Sequence, residues 1–281
     1  MLENLAFLAV PMTACVLLAG ILGYFGNHIL TRGIIFIDIA VAQVAALGTM
    51  IGVLIGFAEA SLSVEVLSMV FTLVVISLFA LTKFEKQRIP QEAIIGIIYG
   101  LSLGIATLFA EYIPGGSNYI TKTITGNILW CTWGDIKSCL LVFAAIGLLH
   151  VFLGGRFIKI SEAKDGFPYS PGRVRLLEMI FYVTFGVVIV KAVPTAGIFL
   201  VFTLLIAPTT IATMFTRSWR YRFLWSWIIG VAGSVAGMII SYGLNISNGP
   251  TIVCLFGTLV FIPAFAKIIF GRSGSPTRPG N

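Results

Sequence analysis

The 281 residues predict an all-α, polytopic membrane bundle of eight or nine transmembrane helices, and three observations carry that expectation. Hydrophobic residues make up 58% of the chain and charged residues 10%, with a mean hydropathy of +1.02; a soluble domain is nearer half apolar and a quarter charged. Apolar stretches recur along the whole length, each close to the roughly 20 helical residues needed to cross about 30 Å of hydrocarbon. Lys and Arg collect between these stretches, so the net charge of +7 reads as membrane topology and not as a nucleic-acid footprint.

The first stretch, Leu5 to Phe25, follows a start that carries Glu3 and no basic region, and Pro11 interrupts it. It is therefore expected to be a spanning helix and not a cleaved signal. The following spans are expected at Ile34–Phe57, Leu62–Leu81, Ala93–Ile113, Ser138–Leu153, Leu176–Val190, Thr195–Phe215, Phe223–Leu244 and Thr251–Phe270. Their basic connections are Thr31-Arg32, Lys83–Arg88, Arg156–Arg175, Arg217–Arg222 and the tail from Lys267 to Arg278. These alternate with connections nearly free of positive charge: Ala58–Ser63, Glu111–Gly126, the short Lys191–Pro194 turn and Asn245–Pro250. Short basic loops stay on the cytoplasmic side, which sets the N-terminus outside and the C-terminus inside. Residues 1–271 form the membrane domain. The Gly- and Pro-rich segment 272–281 is expected to be a disordered cytoplasmic tail.

Small residues recur at helical spacing in Gly96, Gly100 and Gly104, and again in Gly230, Gly233 and Gly237, where close packing of helix backbones is expected. Cys15, Cys131, Cys139 and Cys254 form no C-x-x-C pair and no zinc-type spacing, so they are expected to be packing residues.

Polar groups at membrane depth tend to face a cavity or a partner. Asp38 lies early in the second span with Gln43 five residues on, and the two point about 140° apart on one helix. They are candidates for a translocation pathway formed with a second copy, and Asp38 equally for a helix-end anchor. His28 and His150, near basic ends of their spans, are expected to anchor at the membrane interface. Two isolated histidines make no zinc first shell, so no metal ligand is assigned. Pro208 is expected to end or kink the seventh span. The segment Thr209–Trp219 that follows is expected to be a short amphipathic helix on the cytoplasmic face, with Arg217, Arg220 and Arg222 at its end. No G-x-x-x-x-G-K-[ST] phosphate loop, H-E-x-x-H or G-x-S-x-G string occurs, so catalysis has no support in this sequence.

Taken in order, the late strings Val190-Lys191, Pro194–Gly197, Leu204–Pro208 with Ala212 and Thr216-Arg217, Ser241-Tyr242 and Asn248–Pro250 resemble the permease subunits of ABC importers for zinc, manganese and iron. The early motif of that family, R-x-x-x-F-x-G-D-A-x-x-H-x-x-x-x-G, aligns without a gap on Arg32, Phe36, Ala40 and Gly48. Asp38 stands in place of its glycine, Ile39 of its aspartate and Gln43 of its histidine. The resemblance implies a permease of the bacterial cytoplasmic (inner) membrane that pairs with a second copy of itself. It also implies a cytoplasmic ATPase subunit beneath each copy, an extracytoplasmic metal-binding protein above, lipid around the bundle and no nucleic acid. Pro208, Thr209, Thr213, Thr216, Arg217 and Arg220 would then belong to the element that couples to the ATPase. No resident cofactor is implied, and a divalent metal ion would be cargo. A metal chelate as cargo and an ion-gradient-driven secondary transporter are the alternative expectations; the few charges in the spans count against the latter.

Overall fold

A computed structural model describes the backbone of residues 2–58, 61–82, 90–126, 128–163 and 168–270, and the side chains of these apart from 2–7, 81–82 and 263–270. The basic connection around Lys83–Arg88 and the tail 272–281 lie outside the described residues. Among the described residues ten α-helices follow one another: α1 Leu2–Arg32, α2 Ile37–Leu54, α3 Leu62–Thr82, α4 Gln91–Ala110, α5 Gly116–Thr125, α6 Trp133–Glu162, α7 Pro171–Ala196, α8 Ile198–Phe215, α9 Trp219–Leu244 and α10 Asn248–Phe270, with a 3-10 turn at Ile128–Trp130 between α5 and α6. Among the described residues, eight helices are long and apolar enough to cross a membrane. The 23 residues of α10 reach about 35 Å along their axis, enough to add a ninth.

The centre of the bundle is built by α1, α7 and α8, with α2, α6 and α9 packed around them. Phe25, Phe181 and Phe185, all fully buried, form an aromatic cluster with ring centroids 5.4 Å apart between α1 and α7. Such rings fill the centre and favour offset or edge contacts over flat stacking. Leucines and valines on the outer helices remain exposed, as a lipid-facing surface requires: Leu101 and Leu108 on α4, Leu141 and Val151 on α6. Pro208 sits inside α8, which runs on to Phe215. Its ring is buried and faces Gly230 of α9, where an added Cβ would lie 3.6 Å from the proline Cγ.

Several expectations change here. The segment after Pro208 is not a separate amphipathic helix: its first half continues α8, Thr216 is extended (φ −147, ψ 146), and α9 begins at Trp219. Packing against α9 offsets the backbone hydrogen bond lost at the proline. The Lys191–Pro194 stretch is not a turn either; it is the last part of α7, and the chain turns at Gly197 (φ 81). The polar Glu111–Gly126 connection holds α5, started at Gly115 and stopped at Gly126, both with positive φ. Gly126 and Gly197 touch backbone to backbone, and a side chain on either would collide with the other strand of chain. Of the two glycine series, Gly230, Gly233 and Gly237 do take neighbours close, from Ala19, Phe256 and Ile252. Gly96, Gly100 and Gly104 have open space at the Cβ position within the protomer.

Candidate functional site

Arg and Lys divide the bundle into two ends. Arg32, Arg156, Lys159, Arg173, Arg175, Arg217, Arg220 and Arg222 lie at the end where α1, α6 and α8 finish and α7 and α9 begin; Lys122, Lys137 and Lys191 lie at the other. The first end therefore faces the cytoplasm.

At the outer end, α2, α3, α5, α6 and α7 enclose an open cavity of about 410 Å³. Its charged lining is Glu65, Asp135, Lys122 and Lys191, with hydroxyls from Thr49, Ser68, Tyr119, Thr123, Ser138 and Thr195. Lys191 of α7 pairs with Glu65 of α3 and lies 3.5 Å from Ser138 Oγ on α6. Asp135 accepts from Thr132 N and Oγ at 2.8 and 2.7 Å in the capping box that starts α6. Two carboxylates and two ammonium groups thus balance, and no group of three or more His, Cys, Asp or Glu among the described residues is placed to hold a metal ion. Tyr119, Thr123 and Ala46 also line a gap of about 10 Å³ below it, whose wall includes Gln43.

Gln43 is 3% exposed and faces that gap. Asp38, at the second position of α2, is 1% exposed, and its Oδ1 has no hydrogen-bond partner among the described residues. The protomer does not bring the two together, as their helical offset requires.

At the cytoplasmic end the structure assembles a polar network that the sequence left scattered. Arg32 Nη1 donates to Glu178 Oε2 at 2.9 Å, its Nε donates to Ser161 Oγ at 2.9 Å, and its guanidinium carbon lies 3.8 Å from the Phe181 ring centroid. His28 Nδ1 is 2.8 Å from the same Ser161 Oγ. His150 bridges Tyr24 OH (3.0 Å) and Thr184 Oγ1 (2.7 Å). His28 and His150 are thus not interfacial anchors: they are 1% and 3% exposed, held inside by hydroxyls from other helices. Arg32 likewise is not a loop cation; it closes α1 with its side chain turned inward. Glu178 was missed, although the sole acid of α7, set two turns inside the helix, was the signal that marks it.

The remaining candidates lie along the cytoplasmic corner from Pro208 to Arg222. Pro208 and Thr209 are buried, the latter against Gly26 of α1. Thr213 is exposed and donates to Thr209 O at 2.7 Å, Thr216 Oγ1 accepts from Ser218 N at 3.3 Å, and Arg217 and Arg220 are exposed. Trp219 opens α9: its Nε1 donates to Glu162 Oε1 at 2.5 Å, and its ring centroid lies 4.8 Å from that of His28. The guanidinium carbon of Arg222 lies 4.3 Å from the Trp219 ring centroid.

A helical bundle with apolar flanks, an outer cavity with charged lining and a basic corner opposite it is the architecture of a multi-pass membrane protein. The model of the ABC 3 transport family matches residues 4–268, and the chain belongs to that family. One relative is an uncharacterized membrane protein from the ycf23-apcF intergenic region of Cyanophora paradoxa, 28% identical over 183 residues. That match takes in 63% of this chain and 60% of the relative, so the chain spans less than two thirds of its length. Manganese transport system membrane protein MntC of Halalkalibacterium halodurans is 24% identical over 272 residues, 94% of this chain and 88% of that protein. Among solved structures, PsaBC from Streptococcus pneumoniae in complex with Fab superposes with a TM-score of 0.73 at 21% identity, over 91% of this chain and 90% of that one. The protein is thus a multi-pass member of the ABC 3 transport family in the bacterial inner membrane, with a helical fold shared with PsaBC.

Proposed function

We propose that this chain is the membrane-spanning subunit of an ATP-driven importer for divalent metal ions of the zinc, manganese and iron group. The observation that carries it is the family match across residues 4–268, which takes in both the outer cavity and the basic corner. The manganese transport proteins among its relatives support the cargo class. An extracytoplasmic binding protein releases the ion into the cavity, whose balanced charges let it pass without trapping it. Asp38 and Gln43 of α2, both buried within the protomer, are the polar groups assigned to the onward path. The open Gly96, Gly100 and Gly104 stripe on α4 leaves room for a second copy. A chain without a phosphate loop draws its free energy from a separate ATPase, pressed against Thr213, Thr216, Arg217 and Arg220 while buried Pro208 and Thr209 hold that corner to the bundle.

The test is uptake of radiolabelled manganese, zinc or iron into liposomes that contain this chain, its ATPase and its binding protein. ATP-dependent accumulation is expected, lost in the Arg217→Glu/Arg220→Glu double variant while membrane insertion persists. Full-rate uptake without any ATPase overturns the proposal.

A further inference from the structure

The cytoplasmic corner is not a free loop end. Three residues separate α8 from α9, and Trp219, the first residue of α9, is tied on two sides. Its indole N–H donates to Glu162 Oε1, the last residue of α6, and its ring rests on His28 of α1. Behind that contact the polar chain continues without a break: His28 Nδ1 to Ser161 Oγ at 2.8 Å, Ser161 Oγ to Arg32 Nε at 2.9 Å, Arg32 Nη1 to Glu178 Oε2 at 2.9 Å. Asn27 adds a second tie between α1 and α9, its Nδ2 donating to Ser226 Oγ at 3.3 Å. The chain ends at the turn that leads into α2, because Arg32 closes α1 and Asp38 follows six residues later.

We propose that Trp219 is the positioning residue that transmits movement of the cytoplasmic corner to the bundle, through His28 and Glu162 into the Arg32–Glu178 pair and so to the start of α2. It rests on the reading above that this corner meets an ATPase. An indole that merely anchored the membrane interface would turn its N–H to headgroups and water; here the N–H is given to α6 and the ring to α1. Packed side chains and hydrogen bonds that join rigid helices are the physical means by which one site biases another. Only four residues, opening with Gly33 at φ 70, join Arg32 to the start of α2, so a shift of α1 is carried to Asp38 through a short connection.

The experiment uses the whole transporter in liposomes, reading ATP hydrolysed per manganese ion taken up, with the melting temperature of the purified chain alongside. Trp219→Ala is expected to raise that ratio roughly fivefold or more while hydrolysis itself continues. Trp219→Phe, which keeps the ring and loses the N–H, is expected to fall between Trp219→Ala and the wild type. Glu162→Gln, which keeps an acceptor, is expected to match the wild type, and Glu162→Ala to behave like Trp219→Phe. Should Trp219→Ala fail to insert, Trp219→Phe and Glu162→Ala decide the question. A wild-type ratio in those two, or hydrolysis and uptake declining in parallel with the melting temperature, overturns it. Uptake by the wild type without its ATPase would instead remove the underlying reading, a separate and distinguishable result.

Discussion

Arg32 Nη1 lies 2.9 Å from Glu178 Oε2, and the two side chains are 2% and 3% exposed. Removing one partner of such a pair leaves the other charge buried and unmatched, whereas replacing both with apolar groups is far less damaging. Glu178→Ala is expected to cost about 3–5 kcal/mol. The Arg32→Met/Glu178→Leu double variant is expected to recover much of that. Thermal melts in detergent check the order of the two, and a double variant as unstable as the single one refutes it.

The Lys191–Glu65 pair in the outer cavity is the contrasting case, because its side chains are 21% and 43% exposed. Water screens it, so Glu65→Gln is expected to cost less than about 1 kcal/mol. The melting temperature is the measure, and a loss as large as that of Glu178→Ala would show that the cavity wall depends on this tie.

Gly26 and Gly100 separate packing inside a protomer from packing outside it. A Cβ at Gly26 would meet the Leu205 carbonyl and lie 2.8 Å from Thr209 Oγ1, so Gly26→Ala is expected to destabilise by about 2 kcal/mol or more. Gly100→Ala has open space and is expected to be neutral in melts. Gly100→Leu is expected to shift dimer to monomer in native mass spectrometry; an unchanged dimer would move the contact between copies away from α4.

Gln43 and Asp38 are predicted to govern transport more than folding. Gln43→Ala removes a polar wall from the gap beneath Tyr119 and is expected to change the uptake rate with little change in melting temperature. Asp38→Asn replaces a buried carboxyl group whose Oδ1 lacks a partner among the described residues, so stability is expected to hold or rise while uptake falls. Normal uptake with a lowered melting temperature in either variant assigns that residue to packing.

Cys131, half-buried in the connection before α6, tests the orientation. Burial, with Asp135 adding to it, pushes its thiol up to about 11. Only the thiolate reacts with a maleimide, so below that value each unit of pH raises the labelling rate about tenfold. A membrane-impermeant reagent is expected to label it from outside, slowly at pH 7 and faster towards pH 9. Labelling that requires permeabilised cells would invert the topology.

The spans were legible because a run of about 20 apolar residues has few other uses. Even so, α5 escaped notice: Ser117, Asn118, Thr121 and Lys122 make one side of it polar, and α8, against which it packs, lies far off in sequence. His28 and His150 were misplaced at the interface for a related reason. Their hydroxyl partners Ser161 and Tyr24 stand more than a hundred positions away, so nothing local announces that their ring nitrogens are satisfied indoors. Arg32 illustrates the limit of charge counting, since the rule that finds cytoplasmic loops cannot tell a loop cation from one folded inward onto Glu178. The basic corner was visible as Arg217 and Arg220, but not Trp219's grip on Glu162. Pro208 predicts an end or a kink of its span because a proline's cost is local, while the α9 surface that packs against it in the continuing helix is not.

Gly126 and Gly197 meet with no side chain between them, which rivets the end of the small outer helix to the elbow joining α7 and α8. Any widening of the mouth must carry that helix and that elbow as one slab. For the proposed import, any widening of the outer cavity then falls to α2 and α3 on its opposite wall.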